Sequence, residues 1–291
     1  MLLVQAPPPS AEVQVVPPGA LEAFNPKNPV EARLSALAER QDWQGLCDAF
    51  ETQPVEVGFR FRGTWVEALG KAQRWEQLQQ LCGLLAKNPN LARDPRRPVF
   101  LQQRARALSQ LQRHAEAAPA WEAFGQAGGG VPGFQNACAE ARLVPDWGAL
   151  ERYADALLRL RPEDSEALGW KGEALARQDR FTESDPLLRR AVAANPRLSY
   201  AWNNLGRGAL ERKAWGEAKE ALDKALALDP GQLEALFNRG RAHFELKQYA
   251  ASRDDFKAAL ALQPDNPVLA ENLRQAERYA ALKPPTKASR R

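Results

Sequence analysis

Apolar residues in the middle of the chain recur at two helical spacings. Trp202, Leu205 and Ala209 stand at i, i+3 and i+7, and Ala218, Leu222 and Ala225 at i, i+4 and i+7. Each spacing draws one apolar stripe along a helix of period 3.6. Between the stripes, ERKAWGEA is polar around a single aromatic and predicts a short turn. Pro230 closes the second helix, because proline cannot continue one. The segment 199–232 therefore reads as two helices joined by a tight turn.

The same arrangement returns at a fixed period, the step from Trp202 to Leu236. Trp202, Leu205, Gly206, Ala218, Leu222, Ala225 and Pro230 align with Leu236, Arg239, Gly240, Ser252, Phe256, Ala259 and Pro264. One step back they align with Leu168, Lys171, Gly172, Ser184, Leu188, Ala191 and Pro196. A further step gives Phe134, Ala137, Cys138, Leu150, Ala154, Leu157 and Pro162. An aromatic marks the start of each second stripe at Tyr249, Trp215, Phe181 and Trp147, and the series continues backwards through His114, Trp75 and Trp43. The steps are equal from Trp147 to Tyr249 and unequal before it. The pattern is thus regular over 131–266 and degenerate over 27–130.

This pattern resembles the tetratricopeptide repeat (TPR) family. That family repeats two antiparallel helices at a period of about 34 residues, with a large residue and Leu-Gly in the first helix, then small, large and small residues and a late proline in the second. The resemblance implies an all-α, right-handed α-solenoid of about seven TPR-type helix pairs plus a C-terminal capping helix. The pairs stack because none buries its own stripe alone. Glycine at 206 lets the two helices of a pair approach closely, at a propensity cost of about 1 kcal/mol.

The expected organisation is a Pro-rich flexible leader at 1–26, three degenerate helix pairs at 27–130, and repeats at 131–164, 165–198, 199–232 and 233–266. A capping helix follows at 267–282, then a basic tail at 283–291. Pro119 and Pro186 fall inside second helices and are expected to kink them or delay their starts. GQAGGGVPG at 125–133 suggests a wide loop or hinge, since three consecutive glycines are costly to order.

Composition narrows the function. The net charge of +4 lies at the very end of the chain, in Lys283, Lys287, Arg290 and Arg291, and the remainder is formally neutral. A neutral body is a poor footprint for duplex nucleic acid. Cys47, Cys82 and Cys138 are odd in number and lack paired spacing, so they read as reduced, buried residues. The start MLLVQAPPPS has no basic n-region, and no transmembrane run is present, so a cytoplasmic location is expected. His114 and His243 occupy core-type positions. No HExxH, CxxC, GxSxG or Walker pattern occurs, so no catalysis, metal or cofactor is expected.

Asn204 recurs as Asn238 and Asn272 at the same period, and as Asn136 two steps back, with Trp170 in the slot between. In the TPR family the first helices line the concave groove, and an asparagine here often holds a ligand backbone. By that resemblance, Asn136, Asn204, Asn238 and Asn272 form a ladder. Asn203 and Arg207 lie on the same face, as does Arg241, and Trp170, Tyr200 and Phe237 add apolar contacts. An amide offers donor and acceptor together, and arginine would meet carboxylates. The same asparagines could instead bond neighbouring repeats, and the arginines could pair with Glu173, Glu211 or Glu245. Lysines of the chaperone-type carboxylate clamp are absent. The expected function is a non-catalytic scaffold binding a protein segment in the groove. Self-assembly and, less favoured, nucleic-acid binding by a helical repeat are the alternatives. The sequence names neither the partner nor the oligomeric state.

Overall fold

The computed structural model describes residues 24–53, 58 and 60–281; most of the leader and the whole basic tail lie outside the described residues. Among the described residues every regular element is helical. Contacts divide the chain into two units, Met1–Ala149 and Leu150–Arg291.

In the first unit the helices are α1 (Pro29–Glu39), α2 (Trp43–Glu51), α3 (Arg62–Lys71), α4 (Trp75–Lys87), α5 (Arg97–Gln110), α6 (His114–Phe124) and α7 (Gly130–Leu143). Helix α8 (Trp147–Leu160) spans the boundary. The second unit continues with α9 (Ser165–Arg177), α10 (Phe181–Ala194), α11 (Ser199–Glu211), α12 (Trp215–Leu228), α13 (Leu233–Glu245), α14 (Tyr249–Leu262) and α15 (Pro267–Ala281). Each of the seven marker residues, from Trp43 to Tyr249, is the first residue of a helix.

One turn joins six of the pairs. The residue two before the marker has positive φ in each: Gln41, Gln73, Gln112, Asp179, Lys213 and Lys247, between 55° and 61°. The next N–H then reaches back five positions, as Asp42 N to Leu37 O at 3.0 Å and Ala214 N to Ala209 O at 2.9 Å. That is a Schellman closure, which satisfies otherwise orphaned helix carbonyls. Before Trp147 the equivalent residue is Pro145, whose ring forbids positive φ; there Val144 is extended (φ −117°) and ends α7 instead.

Within the regular pairs the glycine is a contact point. A Cβ on Gly206 would lie 2.5 Å from Leu222 Cγ, and Gly172 and Gly240 meet Leu188 and Phe256 in the same way. The small residue at the start of the second stripe adds a bond where it is serine. Ser184 Oγ donates to Gly172 O at 2.7 Å and Ser252 Oγ to Gly240 O at 2.8 Å. The second unit's core runs through Leu205, Leu222, Leu226 and Leu236 to Leu269 of α15. The first unit has its own core around Leu46, Phe50, Phe61, Leu78 and Phe100.

Two expectations need correction. Pro119 and Pro186 lie inside α6 and α10, yet these helices start at His114 and Phe181, at the marker like all the others. Each proline is the sixth residue of its helix, so the aromatic turn sets the start and the ring removes only one later backbone bond. The glycine run is a kink between two helices rather than a wide loop. Between α6 and α7, Ala127 (φ −85°, ψ 15°) and Gly128 (φ 109°, ψ −5°) leave helical geometry, and Gly130 stands at φ 48°. A Cβ on Gly133 would sit 2.4 Å from Gly125 Cα, so the glycines permit a backbone-to-backbone approach.

The three cysteines are free and buried. Burial pushes the Cys82 thiol up to about 12 and the Cys47 thiol up to about 11, so neither is a ready nucleophile at neutral pH.

Candidate partner-binding face

Three of the four ladder positions spend their amide N–H inside their own helix. Asn136 Nδ2 donates to Pro132 O at 2.8 Å, Asn204 Nδ2 to Tyr200 O at 2.9 Å and Asn272 Nδ2 to Val268 O at 2.7 Å. Each bond reaches back one helical turn, the local competition with the helix ladder that Asn permits. Asn136 belongs to the first unit and the others to the second.

Asn204 is 1% exposed, Asn203 2% and Asn238 6%. Asn238 Nδ2 donates to Asn203 Oδ1 at 3.2 Å, and Asn203 Nδ2 donates to Glu234 Oε2 at 3.3 Å. Glu234 in turn accepts from Arg177 through both terminal guanidinium nitrogens, Nη1 and Nη2, at 2.9 and 2.7 Å. Arg177 ends α9 and Glu234 lies in the first turn of α13, so this pair bridges two first helices past α11. Burial works against the charged Arg177, but Glu234 outweighs it and raises its pKa above the ordinary arginine value. The two charges also sit at the helix ends that favour them. This four-residue chain was invisible at the repeat period, because its ion pair joins units that are not adjacent in sequence. The available hint was an arginine in the last turn of one first helix and a glutamate in the first turn of another.

Of the other site residues, Trp170 is buried, and the Tyr200 hydroxyl packs where a Cβ on Gly169 would lie, 2.5 Å away. Phe237 leans on Phe256 at 5.9 Å. Arg207 Nη2 lies 2.7 Å from Asp179 Oδ1, with its guanidinium over the Phe181 ring at 5.2 Å. Its partner is thus a turn aspartate, none of the three glutamates the sequence suggested. Arg241 comes no closer to Glu211 than 4.0 Å and lies over Phe237 at 6.0 Å. Arg207, Arg241 and Gln275 form the more accessible row, on α11, α13 and α15, while the asparagines beside them are mostly sunk.

The histidines sit in packed polar contacts. His114 Nδ1 is 2.6 Å from Glu140 Oε2, and Ser109 Oγ donates to Glu140 Oε1 at 2.5 Å. The carboxylate stands between the serine and the histidine, whereas nucleophilic catalysis needs the base between. His243 Nδ1 meets Gln248 Oε1 at 2.6 Å. Among the described residues no group of His, Cys, Asp and Glu could hold a metal ion, and no helix is long and apolar enough to cross a membrane.

Paired helices on a fixed sequence period, closed by one turn and packed through one glycine, define a repeat protein. Two protein-family models, both described as tetratricopeptide repeat, match residues 148–199 and 205–280. Residues 148–199 and 205–280 are tetratricopeptide repeats. Comparison with curated sequences finds no match. Among solved structures, the APC/C hetero-tetramer Cut9–Hcn1 is similar at 14% identity and TM-score 0.54, over 86% of this chain and 46% of that one. MamA residues 41 to the end from Desulfovibrio magneticus RS-1 is similar at 18% and 0.49, over 58% and 97%. YrrB, described as a TPR protein with an unusual peptide-binding site, is similar at 17% and 0.48, over 64% and 96%. At 14% identity the likeness to the Cut9–Hcn1 structure bears on the fold alone. The family is in general a non-catalytic, protein-interaction fold.

Proposed function

We propose that this protein is a non-catalytic scaffold that holds a segment of a partner protein along the face shared by α11, α13 and α15. The observation that carries the reading is the row Arg207, Arg241 and Gln275. These residues repeat at the sequence period on successive first helices, and the hydrophobic core uses none of them. Long polar side chains at a fixed step suit a chain lying across the helices, whose carbonyls and carboxylates recur at regular intervals. Asn203, Asn204 and Asn238 then serve beneath this row, fixing the helices that present it.

The test replaces only the accessible row. Partners captured from native lysate by the wild type are compared with those held by Arg207→Ala, Arg241→Ala, Gln275→Ala in combination, after helicity is shown to be equal. Loss of the partner from the triple variant is expected. A partner held equally by both would refute binding on this face.

A further inference from the structure

Three first helices carry a cation ten residues before the marker of the next helix: Arg104, Lys171 and Arg239. This is the Leu205 position, two residues before Arg207 and so on the far side of the helix from it. In the second unit both cations find acids. Lys171 Nζ lies 2.7 Å from Asp155 Oδ1, and Arg239 Nη1 donates to Asp223 Oδ1 at 2.9 Å. Each of these acids is the ninth residue of the preceding second helix. Arg239 also donates to Asp255, the seventh residue of the following one, at 2.6 and 3.0 Å. Where the position holds Leu205, the ninth residue before it is Arg189. Cation and acid thus occur together.

In the first unit the pairing is broken. The ninth residue of α4 is Gly83, and the seventh of α6 is Ala120. Arg104 still lies against α4, since a Cβ on Gly83 would be 3.4 Å from its Nε. Among the described residues that Nε–H is buried with no acceptor. So is the Nε–H of Arg97, two turns earlier on the same face of α5. A buried donor without an acceptor is costly and rare. Glu116 feels the charge of Arg104, but Arg113 already holds it at 2.8 and 2.9 Å. Local carboxylates are scarce: residues 58–113 hold eleven lysines and arginines against Glu67, Glu76 and Asp94.

Arginine offers donors alone, so what completes these sites is an acceptor, and a carboxylate or phosphate takes two of its donors at once. The neighbouring surface decides between them. Leu84, next to Gly83, is 71% exposed. A ligand bound through phosphates leaves that leucine uncovered, whereas an acidic protein segment brings apolar side chains together with its carboxylates.

We propose that Arg97, Arg104 and Leu84 form a docking site for an acidic segment of a partner protein, whose carboxylates take the place that Asp155 and Asp223 fill in the second unit. The site is separate from the α11–α13–α15 face and does not depend on it.

Full-length, isotope-labelled protein is titrated with Ac-Glu-Gly-Leu-Gly-Glu-NH2, whose carboxylates and leucine share one face of an extended chain. Its glutamine analogue, inorganic phosphate and an oligothymidylate are titrated in parallel. The readout is the Nε–H signals of Arg97 and Arg104. The glutamate peptide is expected to shift both, at least about tenfold more tightly than the glutamine peptide, and more weakly as salt is raised. Gly83→Asp rebuilds the second unit's acid in place and is expected to abolish the shifts. Gly83→Ala adds the same Cβ without the carboxylate and keeps them, and far-UV circular dichroism shows whether both variants are folded. Arg104→Gln is expected to weaken the peptide at least about tenfold, read on Arg97. The Arg207→Ala, Arg241→Ala, Gln275→Ala variant keeps the shifts, whatever the fate of the scaffold reading.

No shift, or equal shifts with the glutamine peptide, overturns the proposal. Tighter binding of phosphate or the oligothymidylate overturns it in favour of a phosphate ligand. Undiminished binding by folded Gly83→Asp or by Arg104→Gln removes Arg104 from the site. Loss of the shifts in the triple variant would move the acidic peptide to the α11–α13–α15 face and end the proposal.

Discussion

Gly206→Ala isolates the contact that three of the four regular pairs share, at Gly172, Gly206 and Gly240. The new Cβ would lie 2.5 Å from Leu222 Cγ and 2.9 and 3.1 Å from its two methyls. Leu222 is fully buried (0% exposed), so it has no open space to swing into. Relief requires an off-rotamer leucine or a parting of α11 from α12, and overpacking of this kind costs about 1–3 kcal/mol. Against it stands the gain of about 1 kcal/mol when alanine replaces glycine within a helix. The net expectation is a loss of about 0–2 kcal/mol. Gly216→Ala supplies the control, because residue 216 is an exposed position in α12 with nothing within 4 Å of the added Cβ. It collects only part of the propensity gain, being in the first turn, and is expected to be neutral or stabilising by up to about 1 kcal/mol. Urea unfolding followed by far-UV circular dichroism reads both as midpoint shifts at constant slope. A third variant, Gly206→Ala with Leu222→Ala, closes a double-mutant cycle and is expected to show favourable coupling, since the shorter side chain makes room for the new methyl. If Gly206→Ala is as stable as Gly216→Ala, or the cycle shows no coupling, the glycine does not set the helix approach and the packing argument fails.

Two further outcomes follow from charges. In the first unit, burial disfavours the charged form of Asp94, but bonds from Arg96 and from Arg62 (2.6 Å) outweigh it and hold its carboxyl well below the usual carboxylate range. A depressed carboxylate stabilises the fold above the unfolded-state pKa of about 3.9 and loses that contribution as pH falls towards its folded value; urea midpoints from pH 6 downward should therefore drop more steeply for wild type than for Asp94→Asn, and equal slopes would refute the assignment. Glu234→Gln removes the charge from a pair whose side chains are 27% and 49% exposed, so it should cost no more than about 1 kcal/mol. Glu234→Ala also strips an acceptor from buried Asn203 and should cost about 1–3 kcal/mol more, and equal urea midpoints for the two variants would show that Asn203 does not depend on Glu234.

The regular pairs were legible in the sequence because their contacts are short-range in the chain and repeated. Gly206 meets Leu222 in the very next helix, and the same partners recur at 172/188 and 240/256. The helix starts were legible from one aromatic. The turns before them were not. Their positive-φ residues are Gln, Asp and Lys, which carry no turn preference comparable to glycine's, and the left-handed conformation is imposed when the Schellman bonds close. Proline at 119 and 186 did not delay the starts of its helices, because local propensity yields to a turn that tertiary packing has already placed.

The face was legible only in part. Sequence periodicity located the first-helix positions, but it could not say which amides are spent. Asn204 and Asn272 bond their own helices, while Asn203 and Asn238 bond each other because the helices bring them to 3.2 Å. The Arg177–Glu234 pair exists only once successive pairs are stacked with a particular twist. That twist is a sum of many small side-chain contacts between neighbouring pairs. The period of the sequence determined that the pairs stack; only the tertiary structure decided which side chains that stacking buries and which it leaves exposed.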